Sequence, residues 1–128
     1  LNFVFGLEGE TKKTFDLNYE FLKKILDDNL LVRRINLRQI IPIKNTKMHK
    51  IGNRIVTRNK NKFQRFKRQI KEKIERPLLN KILPNGSVLK DVFTETYRGK
   101  LTFGRQIGSY PLLIGIPGIL ELHLLFSQ

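Results

Sequence analysis

The first eleven residues, LNFVFGLEGET, read as a short strand that passes through a glycine loop into a helix. The strand alternates between two faces, one with Asn2, Val4 and Gly6 and the other with Phe3, Phe5 and Leu7. Gly9 lets the backbone turn, and Thr11 is suited to cap the following helix. This arrangement is a common ligand-binding geometry in α/β proteins, although an ordinary turn with Glu10 and Thr11 as capping residues has the same pattern.

The next elements predict a β-α-β unit. Apolar residues recur at helical spacing over Thr11–Asn29, where Asn29 is a candidate C-terminal cap in the left-handed conformation, and Val32–Ile43 has the composition of a second strand. A helix between two strands normally makes a right-handed crossover between parallel strands. Two strands and one helix form neither a closed barrel nor a doubly wound sheet, so residues 1–56 are incomplete as a structure and the sequence predicts that the chain is a fragment.

The second predicted strand has an unusual polar face. Its apolar face is predicted from Ile35, Leu37 and Ile41, and its polar face from Arg34, Asn36 and Arg38. Parallel strands are usually apolar on both faces. The polar row therefore indicates a barrel interior or a cleft for a polar ligand, with a solvated strand face as the alternative.

Residues 57–84 form the most basic segment of the chain. Ten Lys and Arg against two Asp and Glu give residues 57–83 a net charge of +8, out of +14 for the whole sequence. Apolar spacing predicts a helix or a kinked pair of helices over Thr57–Leu83, capped by Asn59 or Asn61 and ended or bent by Pro77. The excess of cations predicts contacts with nucleic-acid phosphates, and a solvated helix face is the alternative. The candidate contact residues are Lys60, Lys62, Arg65, Lys67, Arg68 and Lys71.

Residues 85–128 predict a small antiparallel sheet or a barrel of the oligonucleotide-binding (OB) kind. The predicted strands are Val88–Tyr97, Leu101–Arg105, Tyr110–Ile116 and Ile119–Phe126, with a hairpin turn at Arg98–Lys100. The overall expectation is a chain of α+β or α/β class in three parts, with a partial β-α-β unit, a basic helix and a small β domain.

Some kinds of site and location are disfavoured by composition. The sequence has no Cys and only two His, far apart, so it predicts neither a disulfide framework nor a metal site, and no catalytic constellation is visible. The apolar stretch Tyr110–Leu125 is interrupted by Pro, Gly and charged residues, which disfavours a membrane span. A cytoplasmic location is the expectation, and the sequence predicts no oligomeric state.

Several stretches taken together resemble the later part of a radical S-adenosylmethionine (radical SAM) barrel. They begin with Val4–Thr11 and Thr14-Phe15 and continue with a strand leading to Pro42 and Asn45–Met48. Arg33–Gln39, Thr102–Gln106 and Gly108–Leu113 are similar to segments of large uncharacterised archaeal iron–sulfur oxidoreductases of that superfamily. The resemblance implies a parent radical SAM oxidoreductase or transferase, of which this chain is the C-terminal part.

The resemblance also implies cofactors and partners. The cofactors would be S-adenosylmethionine and a 4Fe-4S cluster, and the chain alone would be inactive because the cluster cysteines are absent. A following small β domain is similar to the TRAM-like RNA-binding module of tRNA methylthiolating enzymes, which favours tRNA as partner beside the remainder of the parent polypeptide. The alternative is a stand-alone nucleic-acid-binding module without enzymatic activity. The implied cofactor-binding residues are Val4, Gly6, Gly9, Glu10, Arg34, Asn36 and Arg38.

Overall fold

The computed structural model of the chain describes residues 1–109, 111–123 and 125–126, the last two by their backbone alone. The class is α+β, and the chain divides into two compact units, unit 1 (Leu1–Asn85) and unit 2 (Gly86–Gln128). No helix in the described part of the chain combines the length and the apolar content that a membrane crossing needs.

Unit 1 begins with the predicted β-α-β arrangement. Strand β1 (Asn2–Phe5), helix α1 (Lys12–Asp27) and strand β2 (Asn36–Gln39) follow one another, and the two strands pair in parallel from Asn2 opposite Asn36 to Phe5 opposite Gln39. The prediction of a strand over Val32–Ile43 was too long. Because β1 has four residues, it provides a hydrogen-bonding ladder for only four residues of β2.

The ends of α1 follow from the local sequence. Thr11 is the N-cap residue, and its N–H donates to Oγ1 of Thr14 at 3.1 Å. Asn29 adopts the predicted left-handed conformation, with φ of 58°. The N–H of Asn29 donates to the carbonyl of Leu26, and the N–H of Leu30 to that of Ile25. This pair of bonds is the Schellman arrangement, which satisfies carbonyls left over at a helix C-terminus.

The basic segment is a longer helix than predicted. A short helix α2 (Lys47–Ile51) precedes helix α3 (Arg54–Ile70), which continues through a π-helical segment (Lys71–Glu75) into helix α4 (Arg76–Ile82). The proposed caps Asn59 and Asn61 were wrong, because both lie inside α3 and Asn53 precedes it.

Pro77 does not end the basic helix, which was one of its two predicted effects. It lies in the first turn of α4, directly after the π-helical segment. Proline lacks an N–H and its ring clashes with the carbonyl four residues earlier. The wider π-helical turn accommodates that conflict, so the helical path continues.

The core of unit 1 is built from aromatic and aliphatic side chains of both strands and the long helices. The ring of Phe5, 1% exposed, lies with its centroid 5.1–5.3 Å from three other rings. Burial of this size is the main favourable contribution to folding. The buried cluster consists of Phe5, Phe15, Leu22, Ile25, Ile35, Phe63, Phe66, Ile70, Ile74 and Leu78.

Unit 2 is an antiparallel sheet. Its strands are β3 (Val92–Arg98), β4 (Leu101–Gln106), β5 (Leu113–Pro117) and β6 (Leu125–Phe126), in the order β5-β4-β3-β6. The predicted hairpin between β3 and β4 is present, with Gly99 at φ of 62°. Among the described residues β5 and β6 do not pair, so the sheet order is open and a closed OB- or TRAM-like barrel is not observed.

Two predicted strands of unit 2 differ from the structure. The strand predicted over Val88–Tyr97 starts only at Val92, and most of the one predicted over Ile119–Phe126 is a loop that leads into β6. The loop takes this form because the buried hydroxyl groups of Thr94 and Thr102 bind its backbone carbonyls. Tyr110, the predicted first residue of β5, lies outside the described residues, as do Leu124, Ser127 and Gln128.

Candidate nucleic-acid interface

A cationic cleft of about 410 Å³ lies between β2 and the helix formed by α3 and the π-helical segment, and we call it the strand–helix cleft. It joins residues from two separate predictions, because Asn36 and Arg38 belong to the polar row and three cations belong to the basic helix. Its polar lining consists of Asn36, Arg38, Gln64, Lys67, Arg68, Lys71 and Glu75.

The helical repeat explains why these cations face β2. Lining positions 64, 67, 68, 71 and 75 follow the three- and four-residue spacing of one helix side. The buried stripe at positions 59, 63, 66, 70 and 74 runs beside them and fixes the rotation of the helix against the core. Burial of the apolar stripe therefore places the cations at the edge of the sheet.

Among the described residues, no cation of the strand–helix cleft has a carboxylate oxygen within 4 Å. Within the described residues, the ion pairs shorter than 4 Å are Lys23–Asp27 and Arg105–Glu95, both outside this cleft. Lys67 instead places its Nζ 5.7 Å from the ring centroid of Phe63. Unpaired cations gathered in one concave surface attract anions, because their fields add there.

Glu75 introduces one carboxyl group into this cationic surface. Burial raises the pKa of the Glu75 carboxyl above its ordinary value, and the nearby Lys71 and Lys67 partly oppose that rise. Both Lys71 and Glu75 belong to the π-helical segment, and such wide turns occur frequently at functional sites. The π-helical segment thus shapes the charge of the cleft as well as its wall.

The remaining cations predicted to bind nucleic acid lie elsewhere on the helix. Lys62 and Arg65 line a second cleft of about 480 Å³ between α1 and α3, which we call the helix–helix cleft. Lys60 is exposed and lines neither cleft. The structure therefore brings together Lys67, Arg68 and Lys71 but places the other three candidates apart from them.

The polar row is only partly brought into the cleft. Asn36 and Arg38 line it, and Nδ2 of Asn36 donates to Oδ1 of Asn2 at 2.8 Å. Arg34 precedes β2, is exposed, and accepts a hydrogen bond on its carbonyl from the amine of Leu1 at 2.8 Å. The strand period placed these three residues on one face, but β2 begins only at Asn36.

The glycine loop after β1 is closed by contacts within the protein. A Cβ at Gly6, whose φ is 92°, would lie 2.5 Å from Cγ2 of Val56, so only glycine fits there. Gly9 has φ of 82° and is exposed, and Val4 is exposed and opposite Arg38 in the strand register. None of these residues lines either cleft.

Glu10 holds this loop from inside the fold. It is 6% exposed, and its carboxylate accepts hydrogen bonds from the N–H of Gly6 at 2.6 Å and from Nδ2 of Asn59 at 2.8 Å. Its carbonyl accepts a further bond from Arg58 at 3.1 Å. A buried carboxylate with these partners is satisfied by the protein itself.

Asn59 and Arg58 were missed by sequence reasoning as partners of the glycine loop. The available signal was the position of Asn59, a polar residue within the apolar stripe of α3. A buried amide at such a position needs a hydrogen-bonding partner, and Glu10 is the partner it meets.

Among the described residues, no group of three or more His, Asp or Glu is arranged to hold a metal ion.

No protein-family model and no solved structure matches the chain. An uncharacterised protein of Archaeoglobus fulgidus is 45% identical to it over 118 residues, which are 92% of this chain and 22% of that protein. An uncharacterised protein of Methanocaldococcus jannaschii is 44% identical over 117 residues, 91% of this chain and 22% of that protein. The chain thus spans about a fifth of the length of the curated relatives it matches.

These comparisons correct the predicted identification with the radical SAM superfamily, which is wrong. No family model of any kind matches, and neither relative is described as a radical SAM protein. The assignment of residues 1–56 to such a barrel, and the expectation of S-adenosylmethionine and a 4Fe-4S cluster, came from that resemblance and lose their basis with it. The similarity that stands is to two uncharacterised archaeal proteins.

Proposed function

We propose that unit 1 binds nucleic acid through the cations of α3 and the π-helical segment, with the strand–helix cleft as the main phosphate site. The observation that carries this proposal is the convergence of Arg38, from the strand, with Lys67, Arg68 and Lys71, from the helix, in one cleft. Each cation that neutralises a phosphate releases condensed counterions, which favours binding at low salt.

The surface of α3 that lies away from the core supports the proposal. The strand–helix and helix–helix clefts flank the buried stripe on opposite sides of the helix, since their lining positions differ by roughly half a turn at about 100° per residue. Arg65 and Arg68, three residues apart and both exposed, lie on the outward surface between the clefts. A nucleic-acid backbone that crosses α3 therefore meets cations continuously from one cleft to the other.

The fold makes little structural use of these charges. Among the described residues Lys67 lies near the ring of Phe63, and Lys67 and Lys71 lie near Glu75, but the cations of the strand–helix cleft form no ion pair within 4 Å, and the buried cluster beneath them is apolar. Clustering like charges without partners costs folding free energy through repulsion. An anionic ligand removes that cost, which is a physical reason for such a surface.

The test is a charge reversal on the full 128-residue chain. The variant K67E/R68E/K71E is compared with the parent by electrophoretic binding of tRNA and of a DNA duplex across a salt series. Because about 0.7 to 0.9 counterions are released per phosphate contact, loss of three contacts reduces the magnitude of the negative slope of log K against log salt by about two to three units in the variant.

The matched control is K44E/K47E/K50E, which makes the same change in net charge at exposed lysines that line neither cleft. We expect this control to reduce the magnitude of the negative salt slope by less than one unit. Absence of binding by the parent at low salt, or equal losses in both triple variants, contradicts the proposed surface. The preference between tRNA and duplex DNA is read from the same parent measurements.

A further inference from the structure

The two walls of the helix–helix cleft carry net charges of opposite sign. The α1 wall carries Asp16 and Glu20 together with one cation, Lys12, and the α3 wall carries Lys62 and Arg65. No ion pair joins the two walls, since the pairs among the described residues lie elsewhere. Both signs of charge thus remain available to a bound molecule.

The floor of this cleft is aromatic and firmly held. Phe15 and Phe66 line it and are 6% and 3% exposed, with ring centroids 5.6 Å apart in an edge-to-face arrangement. Tyr19, half-buried and packed against the core, completes the aromatic lining. Planar bases stack on aromatic side chains, and the half-buried ring of Tyr19 offers that surface above the buried rings of the floor.

The two carboxylates of the α1 wall favour one kind of base. Asp16 and Glu20 are four residues apart on α1, so their carboxylates are neighbours, and an ionised carboxylate only accepts hydrogen bonds. The Watson–Crick edge of guanine presents two adjacent donors, N1–H and the N2 amine. Uracil, cytosine and adenine place a carbonyl or a ring-nitrogen acceptor beside their donor, which a carboxylate repels.

We propose that the helix–helix cleft binds a guanine of a single-stranded nucleic acid whose backbone lies on α3. The base stacks on Tyr19 over the aromatic floor, its Watson–Crick edge donates to Asp16 and Glu20, and its phosphate meets Lys62 and Arg65. The strand is single because a guanine in a duplex has that edge paired. This inference rests on the proposed function, because α3 supplies the backbone contacts.

The test compares four RNA nonamers with the parent chain at low salt: nine uridines, and the same oligomer with guanosine, inosine or adenosine in the centre. We expect the guanosine oligomer to bind about tenfold more tightly than the all-uridine one. Inosine lacks the N2 amine, so its affinity falls between the two, and adenosine gives no preference over uridine.

The double variant D16N/E20Q removes the anionic acceptors. We expect the guanosine preference to fall to within about twofold while the affinity for the all-uridine oligomer stays equal or rises, because two negative charges are lost. The control E8Q/D28N makes the same charge change at exposed positions outside the cleft and keeps the preference.

The outcomes separate the two proposals. Salt-dependent binding without a guanosine preference, or a preference that survives in D16N/E20Q, overturns the guanine site and leaves the proposed function standing. Absence of binding by all four oligomers at low salt overturns the guanine site, and the proposed function fails with it only if tRNA and duplex DNA do not bind either.

Discussion

The two units of the chain achieve order by different means. The interior of unit 1 is a cluster of phenylalanine, leucine and isoleucine side chains supplied by strands and helices alike. In unit 2 the described buried side chains are few and small, and Thr94 and Thr102 are as completely buried as Val92. Unit 1 is thus stabilised mainly by burial of apolar surface, whereas hydrogen bonds have a larger share in unit 2.

Hydroxyl groups connect the sheet of unit 2 to the loop that follows β5. Oγ1 of Thr102 donates to the carbonyl of Gly118 at 2.8 Å and accepts from the N–H of Leu120 at 2.9 Å. Oγ1 of Thr94 donates to the carbonyl of Glu121, and the hydroxyl of Tyr97 to that of Leu120. The N–H of His123 also donates to the carbonyl of Thr94 in β3 at 2.9 Å. Because most of these bonds run from the loop backbone to side chains and do not form a regular strand ladder, the loop does not extend into the longer strand that its apolar sequence predicts.

The difference has a consequence for function. The apolar core sets the position of α3, and among the described residues the cations of the strand–helix cleft have no carboxylate oxygen within 4 Å, so those cations remain available for a ligand. In unit 2, in contrast, the threonine hydroxyl groups already form hydrogen bonds with the loop backbone. Three predictions test this contrast.

The largest effect is expected from Phe5→Ala in unit 1. Removing a ring that contacts three others leaves a cavity, and the free energy of unfolding falls by about 4 kcal/mol. Urea unfolding measures the loss, and hydrogen exchange locates it in the amides of α1 and α3.

Two further variants keep this prediction testable. Phe5→Leu serves if the alanine variant fails to fold. It retains much of the side-chain volume, and we expect it to lower the free energy of unfolding by about 1.5 kcal/mol. Phe21→Ala makes the same truncation at a ring that is 52% exposed, so it costs far less. Equal losses for Phe5→Ala and Phe21→Ala would show that the aromatic cluster does not carry the stability of unit 1.

A smaller effect is expected from Thr102→Val in unit 2. The substitution keeps the shape but removes the hydroxyl that serves Gly118 and Leu120, which leaves their backbone groups without that partner. The unfolding free energy falls by about 2 kcal/mol, and the amide of Leu120 exchanges faster. Thr96→Val, at an exposed position of the same sheet, changes it by less than about 0.5 kcal/mol.

If Thr102→Val leaves the hydrogen exchange of the Leu120 amide unchanged, the claim that hydroxyl hydrogen bonds stabilise unit 2 is wrong. Thr102→Ser tests the same claim from the other side. Because serine keeps the hydroxyl that valine lacks, we expect the Leu120 amide to exchange as slowly as in the parent.

The smallest effect concerns Glu75 and its dependence on pH. Burial raises the pKa of this carboxyl in the folded state, so folding favours its protonated form. That stabilising contribution is complete below the ordinary carboxyl pKa and is lost as the pH rises through the raised value. We therefore expect Glu75→Gln to gain stability relative to the parent between pH 4 and pH 7.

Urea unfolding of both proteins at the two pH values measures the gain. Glu72→Gln, an exposed position in the same π-helical segment, controls for the change in net charge. A relative loss of stability by Glu75→Gln on going to pH 7 would mean that Lys71 and Lys67 outweigh burial and reverse the sign.

Local patterns predicted the elements and their order well. The alternation over the first residues, the Asn29 turn and the helical repeat of the basic segment are properties of neighbouring residues, and each is present in the structure. Prediction failed where a distant partner or a neighbouring strand decided the outcome. Asn59 was interpreted as a cap because its partner Glu10 lies 49 residues away in the sequence, where local patterns carry no information. The predicted second strand was too long because the length of β1 limits how many residues of β2 can pair.

The sequence by itself determined that this chain has a parallel β-α-β unit, a strongly cationic helix and a small antiparallel sheet. Periodicity and composition carry that information because they act through adjacent turns and alternating faces. Only the tertiary structure decided that Arg38 joins Lys67, Arg68 and Lys71, and that Asp16 and Glu20 face Lys62 and Arg65. Those groupings depend on how the apolar stripe of α3 rotates the helix against the core, a choice made by packing between residues far apart in the chain.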